Sequence, residues 1–226
     1  MPNISLYKIK KDHLRDNIIK YTKKAFALLP KHDNPRILDV GCGSGIPTIE
    51  LAKLSGGYIT GIDIDRSSLD RFRKKVKEVG LIRQIEIVEK SMSNLDFPDE
   101  HFDIIWAEGS IAAIGFEEGL KQWRRFLKVH GFLVIHDEIS DITKKIKLIS
   151  NYNYRLVSRF KISPKEWRLQ YYAPLEKLIQ EFHNNYLNDY ELIKELSKDQ
   201  VEIDRLKSNP VLFGSIFYII KKEESK

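Results

Sequence analysis

Arg36-Ile-Leu-Asp-Val-Gly-Cys-Gly-Ser-Gly-Ile-Pro-Thr48 is the stretch whose reading decides the fold. Ile37, Leu38 and Val40 form the short apolar run of a strand covered on both faces, as in a parallel sheet. Gly41, Gly43 and Gly45 follow directly, and alternate glycines allow backbone angles and close approaches that a Cβ would block. Pro47 then sits in the first turn of a helix, where its missing N–H costs nothing, and Ile49, Leu51 and Leu54 continue that helix. A strand, glycine turn and helix in this order are expected to aim free amides at a small molecule lying across the strand end.

Spacing separates the two ligand classes that use such a turn. The dinucleotide fingerprint Gly-x-Gly-x-x-Gly/Ala, counted from Gly41, needs a small residue where Ile46 stands, and Ile46 is too large for a pyrophosphate to come close. Asp39-x-Gly-x-Gly-x-Gly45 instead resembles motif I of the class I S-adenosylmethionine (SAM) methyltransferases. In that family the loop wraps the amino-acid part of SAM, and the resemblance assigns Asp39, Gly41, Cys42, Gly43 and Gly45 to the cofactor. The bland alternative is an ordinary strand-to-helix turn.

Downstream, Tyr58-Ile-Thr-Gly-Ile-Asp-Ile-Asp65 reads as a second strand ending in a carboxylate. Asp63 lies 22 positions after Gly41, close to the roughly 20-residue interval at which an acid reaches a ribose in a strand-helix-strand unit. Its two oxygens suit vicinal hydroxyls. Ile64 would lie against adenine, and Asp65 caps the helix that opens near Arg66. The alternative for Asp63 is a capping role of its own.

A length of 226 residues suits one domain, with 42% hydrophobic and 31% charged residues, as expected of a soluble globular chain. Lys, Asp and Arg thread the first 24 residues, so no secretory signal is read there. The longest apolar run, Val211 to Ile220, is too short to span a bilayer, so no membrane insertion is expected. The single cysteine, Cys42, implies a reducing, cytoplasmic setting.

A net charge of +6 invites a nucleic-acid reading. Arg71, Arg73, Lys74, Lys75 and Lys77, however, alternate with Leu69, Phe72, Val76 and Val79 as the solvated face of a helix, and Lys144, Lys145 and Lys147 read the same way beside Ile142, Ile146 and Ile149. No arginine-rich arm, basic and aromatic platform or zinc-knuckle spacing is present. The partner expected is therefore a small molecule rather than nucleic acid, and no metal is expected.

The remaining chain reads as a strand-helix repeat. Residues 1–35 form an N-terminal helical cap with one helix to about Leu28, and in the resembling family such helices often fold over the substrate mouth, which makes Tyr7, His13 and Tyr21 pocket candidates beside a plain packing role. Gly80 stops the basic helix, Gln84–Val88 is the third strand, and Phe102–Trp106 the fourth. The loop Glu89–Asp103 resembles the one that contacts adenine in small-molecule methyltransferases, with Ser91-Met92 where the family has an Asp and a small residue. Ala107-Glu108-Gly109-Ser110 ends strand four, so Glu108 faces the ligand crevice, where it contacts the sulfonium region, positions substrate or takes a proton, or else caps the next helix. A helix over Glu117–Leu127 buries Leu120, Trp123 and Leu127, and His130-Gly131 turns the chain back into strand Phe132–Ile135. His136, Asp137 and Glu138 stand at that strand's end, and neighbouring side chains there point in opposite directions.

Asp141–Ser150 reads as a helix and Arg155–Ile162 as a half-exposed strand. Residues 163–208 break the repeat as a helical insertion, with Leu175, Leu178, Ile179 and Phe182, then Leu192, Leu196, Ile203 and Leu206, at helical spacing. Trp167, Tyr171 and Tyr172 are candidates for a substrate wall, or aromatic core. Val211–Ile220 returns as a strand before a charged tail over Lys221–Lys226.

The resemblance implies an α/β fold, a doubly wound, seven-stranded, mostly parallel sheet of order 3-2-1-4-5-7-6 with strand seven antiparallel, in one methyltransferase domain over 1–226. Ala107-Glu-Gly and Leu95-Asp-Phe-Pro look nearest to the ubiquinone and menaquinone biosynthesis type, which does not identify the acceptor. The activity implied is in-line methyl transfer from SAM, leaving S-adenosylhomocysteine, and the bases to test are Glu108, His136 and Asp137. An Asp/Asn-Pro-Pro-Tyr/Phe motif is absent after strand four, which argues against amino-methylation of adenine or glutamine amides. The alternatives are an RNA methyltransferase and a non-catalytic module that holds SAM or a dinucleotide. The sequence carries no statement on oligomeric state.

Overall fold

In the computed structural model, which describes residues 2–224 apart from the side chain of Leu212, β1 (Arg36–Val40) buries every side chain after Arg36. The strand is covered on both faces, as its apolar run requires. It runs into α3 (Ile46–Ser55), β2 (Tyr58–Asp63), α4 (Arg66–Glu78) and β3 (Ile85–Glu89), then β4 (Phe102–Glu108), α5 (Phe116–Trp123), β5 (Leu127–Glu138), α6 (Ile142–Asn151), β6 (Tyr154–Ile162) and, at the end, β7 (Ser215–Lys222). The described residues build a seven-stranded sheet of order β3-β2-β1-β4-β5-β7-β6, the order that the motif I resemblance implies. Strands β3, β2, β1, β4 and β5 pair in parallel, so their carboxyl ends lie along one edge. The order reverses between β1 and β4, and the crevice at such a switch point is where open α/β sheets take ligands.

Two compact units divide the chain, one from 2–20 with 162–215 and the other from 21–161 with 216–224. The second holds the core, in which Leu38, Val40, Ile105, Leu133, Ile135, Trp123 and Tyr218 are all inaccessible. The first contains α1 (Asn3–His13), α7 (Pro164–Trp167), α8 (Ala173–Asn185) and α9 (Tyr190–Ser208). Within it Tyr7 is fully buried, packs edge-on to Phe182 at 5.3 Å and donates its hydroxyl to Asp199 at 2.6 Å. Trp167, Tyr171 and Tyr172 pack on one another at 5.2–6.1 Å, and Tyr172 donates to Glu202. His13 is exposed and pairs with Asp16.

Several sequence expectations are corrected. The N-terminal segment is two helices, α1 and α2 (Ile19–Ala27), joined by a tight turn over Leu14–Asn17. The helix expected over Glu117–Leu127 stops at Trp123, passes through a 3-10 turn at Arg124–Phe126, and β5 has already begun at Leu127. His130-Gly131 therefore lies inside a strand, where His130 takes φ 65° and the register with β4 slips between Phe102 and Ile104, as at a bulge. The final strand begins at Ser215, after a 3-10 turn at Pro210–Phe213, and extends to Lys222. Lys222 is buried in the strand and donates to the Leu127 carbonyl at 2.6 Å, while the last residues of the expected tail, 225–226, lie outside the described residues.

Candidate functional site

The glycine turn after β1 is forced by its neighbours. A Cβ on Gly45 would lie 1.9 Å from the Phe72 ring of α4, and one on Gly41 would lie 2.4 Å from Ser110 Cβ. Both glycines have φ near +77°, a region closed to most side chains (75° and 79°). Gly43, with φ +53°, differs, since a Cβ there would meet nothing within 4 Å.

Four amides of the turn, those of Gly41, Cys42, Gly43 and Gly45, are bonded within the protein, which narrows the sequence expectation of free amides. Gly41 and Cys42 both donate to the Ile62 carbonyl (2.8 and 3.0 Å), Gly45 donates to the Cys42 carbonyl (2.9 Å), and Gly43 donates to Asp63 Oδ2 (2.8 Å). The loop is welded to β2 rather than opened toward a phosphate. Asp65 donates its own amide to the other Asp63 oxygen at 2.9 Å, so both oxygens of this half-buried carboxylate are oriented and each keeps a further lone pair. Asp65 caps α4 by accepting from Ser67, and Ile64 stands 71% exposed beside them.

Sheet register brings the acids together. Val40 pairs with Ile62 and Asp39 with Trp106, so one and two steps further on Gly41 is level with Asp63 on one side and Glu108 on the other. Glu108 in turn pairs with His136. In-register residues of parallel strands project from the same face. Asp63, Gly41, Glu108 and His136 thus form one row across β2, β1, β4 and β5, with Asp39 and Trp106 a step below.

Each member of the row is held. Thr22 of α2, fully buried, sets its hydroxyl 3.0 Å from both Glu108 oxygens, and Trp106 Nε1 donates to Oε2 at 3.0 Å. His136 is 8% exposed and lies flat on Phe217 (4.4 Å between centroids, 18°), which lies flat on Phe160 (5.0 Å, 17°). Thr48 of α3 donates to Asp39 at 2.5 Å. Burial pushes the Asp39 carboxyl up to about 7, against the Thr48 hydrogen bond and with help from the charges on Glu108 and Asp63. The charges on Glu108 and Asp63 thus reach Asp39, whose own carboxyl is driven toward its neutral form.

Asp137 does not join this row. It points to the opposite face, where it makes a buried ion pair with Lys145 of α6 at 2.6 Å, and Lys145 also donates to the Glu138 carbonyl. Lys145 is thereby removed from the solvated face read for it beside Lys144 and Lys147. Ser91 accepts weakly from the Ser93 amide at 3.3 Å and is exposed, while the Met92 carbonyl takes the Trp123 indole N–H at 3.4 Å and Met92 Cε approaches Gly41. Sequence reading missed Thr22, Thr48 and Trp106. Only Trp106 was legible, because a residue two before Glu108 on a strand shares its face.

Residues 37–131 match the family model described as a methyltransferase domain. That match covers less than half of the chain, and with the strand order it makes this part of the chain similar to class I methyltransferase domains. An uncharacterized protein of Haemophilus influenzae is 30% identical over 58% of this chain and 54% of its own, and the sterol 24-C-methyltransferase ERG6B of Gibberella zeae 31% identical over 45% and 27%. This chain spans about half or less of the length of these curated relatives. A SAM-dependent methyltransferase from Geobacter sulfurreducens, solved in complex with S-adenosyl-L-homocysteine, superposes with a TM-score of 0.76 over 91% of each chain at 15% identity, a likeness of fold.

Proposed function

We propose that the chain binds SAM at the carboxyl ends of β1, β2 and β4 and transfers its methyl group to a small-molecule acceptor. The observation that carries this reading is the row Asp63, Gly41, Glu108 and His136, in which two oriented carboxylates flank a glycine turn with the amides of Gly41, Cys42, Gly43 and Gly45 already bonded. A dinucleotide pyrophosphate needs unspent amides and a positive field. Here four of the turn's amides are already bonded and two carboxylates flank it, a setting that suits a cationic sulfonium better than a pyrophosphate.

In this reading Asp63 accepts from the vicinal ribose hydroxyls, exposed Ile64 supplies an apolar surface for adenine, and Ser91 with the Met92 backbone borders the ring. The open side of Gly43 leaves room beside the turn for the amino-acid part. When bound, SAM supplies an electrophilic methyl on sulfur, so the protein's main task is alignment, for which effective molarities of ~10⁵ M or more are attainable. Glu108 and His136 are the groups placed to accept a proton where the acceptor carries one. Asp137 is withdrawn from that role by its Lys145 partner.

The acceptor class is supported only by likeness. ERG6B is named for sterol methylation, and Ala107-Glu-Gly resembles the quinone-biosynthesis type, so apolar ring acceptors lead the panel to test. Among the described residues no helix is long and apolar enough to cross a membrane. Cys42, buried in the turn, fits the reducing, cytoplasmic setting that belongs to the same proposal.

Thermal denaturation with SAM, S-adenosylhomocysteine, NAD or no ligand tests the reading. SAM at about 100 times its dissociation constant is expected to add ~2.7 kcal/mol, and NAD nothing. Asp63→Ala removes most of the gain, whereas an equal gain in variant and parent rejects the ribose assignment.

A further inference from the structure

Glu108 is held more firmly than a surface carboxylate needs to be. The single Thr22 hydroxyl lies between its two oxygens, 3.0 Å from each, Trp106 donates to one of them, and neither donor has any exposed surface. The two donors, one hydroxyl proton shared between the oxygens and one indole N–H, suit the charged form, because an ionised carboxylate is an acceptor only. Thr22 is itself anchored through its neighbours. Lys23 pairs with Glu50 of α3 at 3.1 Å, and Lys24 stands 4.4 Å over the Phe160 ring of β6, so three consecutive residues of α2 grip β4, α3 and β6. Side chains one position apart on a helix point about 100° from each other, which lets one turn make all three contacts. The grip fixes where the Glu108 charge sits, level with Gly41 and across the turn from Asp63.

We infer that Thr22 and Trp106 are positioning residues that hold Glu108 as a fixed negative charge, and that this charge makes the site prefer a cation at the sulfur position over the neutral thioether. The inference rests on the proposed SAM site and goes further, because it assigns ligand discrimination to a threonine on α2. A fixed carboxylate near a cation in a partly solvated crevice acts on the charged ligand and leaves the uncharged one nearly untouched. A merely structural threonine would weaken both ligands alike.

Isothermal titration with three probes separates these possibilities: SAM, S-adenosylhomocysteine, and sinefungin, whose amine carries the positive charge without the sulfonium. The parent is expected to bind SAM and sinefungin more tightly than S-adenosylhomocysteine. Glu108→Gln should cut that preference by about tenfold for both cations, the size of one moderately screened charge pair. Thr22→Val should cut it in the same direction by about threefold, and Thr22→Ser, which keeps the hydroxyl, should restore it. Thr22→Val is nearly isosteric, and the bound fraction from each titration reports its folded population. A preference unchanged in both Glu108→Gln and Thr22→Val overturns the inference, as does a loss confined to SAM, which would indicate a methyl contact instead of a charge. A parent that binds none of the three overturns the SAM site itself.

Discussion

Gly43 and Gly45 stand two residues apart in the same turn and do different things. Gly45 is needed for folding, since any Cβ would enter the Phe72 ring and its φ of +79° already strains an L-residue. Gly45→Ala is expected to cost roughly 2–4 kcal/mol, read as a fall in the urea midpoint at constant slope. Gly43 has the same handedness but faces open space, so Gly43→Ala should cost only about 1 kcal/mol of backbone strain. It should nevertheless remove most of the stabilisation by SAM, because the methyl group occupies the space offered to the ligand. A Gly43→Ala variant that keeps the full ligand-induced shift would place the ligand elsewhere. The glycines were legible in the sequence because their spacing is local. The destination of their amides was not, because it depends on Ile62 and Asp63, brought alongside by the sheet.

At the scale of elements, the buried pair Asp137 and Lys145 ties α6 to the end of β5, with side chains only 7% and 10% exposed. Taking one partner away leaves the other charge in a dry site. Lys145→Ala is expected to cost roughly 3–5 kcal/mol, while replacing both, Asp137→Leu with Lys145→Met, should recover most of that loss. Chemical denaturation of the two variants checks this, and equal losses would mean the pair does not act as a unit. The sequence hid this pair for a physical reason. Lys144, Lys145 and Lys147 share one helical segment, and which of them turns inward is decided by a carboxylate on a strand whose facing is set by its neighbours. The same limit moved the start of β5. The apolar run through Leu127 fits a helix face, yet Phe102 of β4 pairs with Leu127, and pairing outweighs periodicity. By contrast β1 and β2 were readable from their own apolar runs and the glycine turn between them, and the strand order came with the motif I resemblance.

For the whole molecule, a net charge of +6 is the one global feature that points toward RNA. Its distribution argues otherwise. Residues 2–20 with 162–215 carry nearly balanced charge, and α1 and α9 pair lysines within that unit, as in Lys10 with Glu181, Lys11 with Asp199 and Lys198 with Glu195. On α4 the basic residues turn back onto their own surroundings, Arg73 to Asp70, Arg71 to the Ser67 carbonyl and Lys75 to the Ser44 carbonyl. Such exposed pairs contribute little to stability, but they dilute the local field that a phosphate backbone would meet. The proposed crevice is itself lined by acids, which repel a polyanion at the point where methyl transfer would occur. A fluorescent single-stranded RNA of about 20 nucleotides should therefore bind only weakly at about 50 mM salt and be released at about 150 mM, the behaviour of a diffuse, non-specific surface. Micromolar or tighter retention at the higher salt, competing with SAM-dependent stabilisation, would instead favour RNA as the acceptor and move the search for substrate from small molecules to nucleic acid.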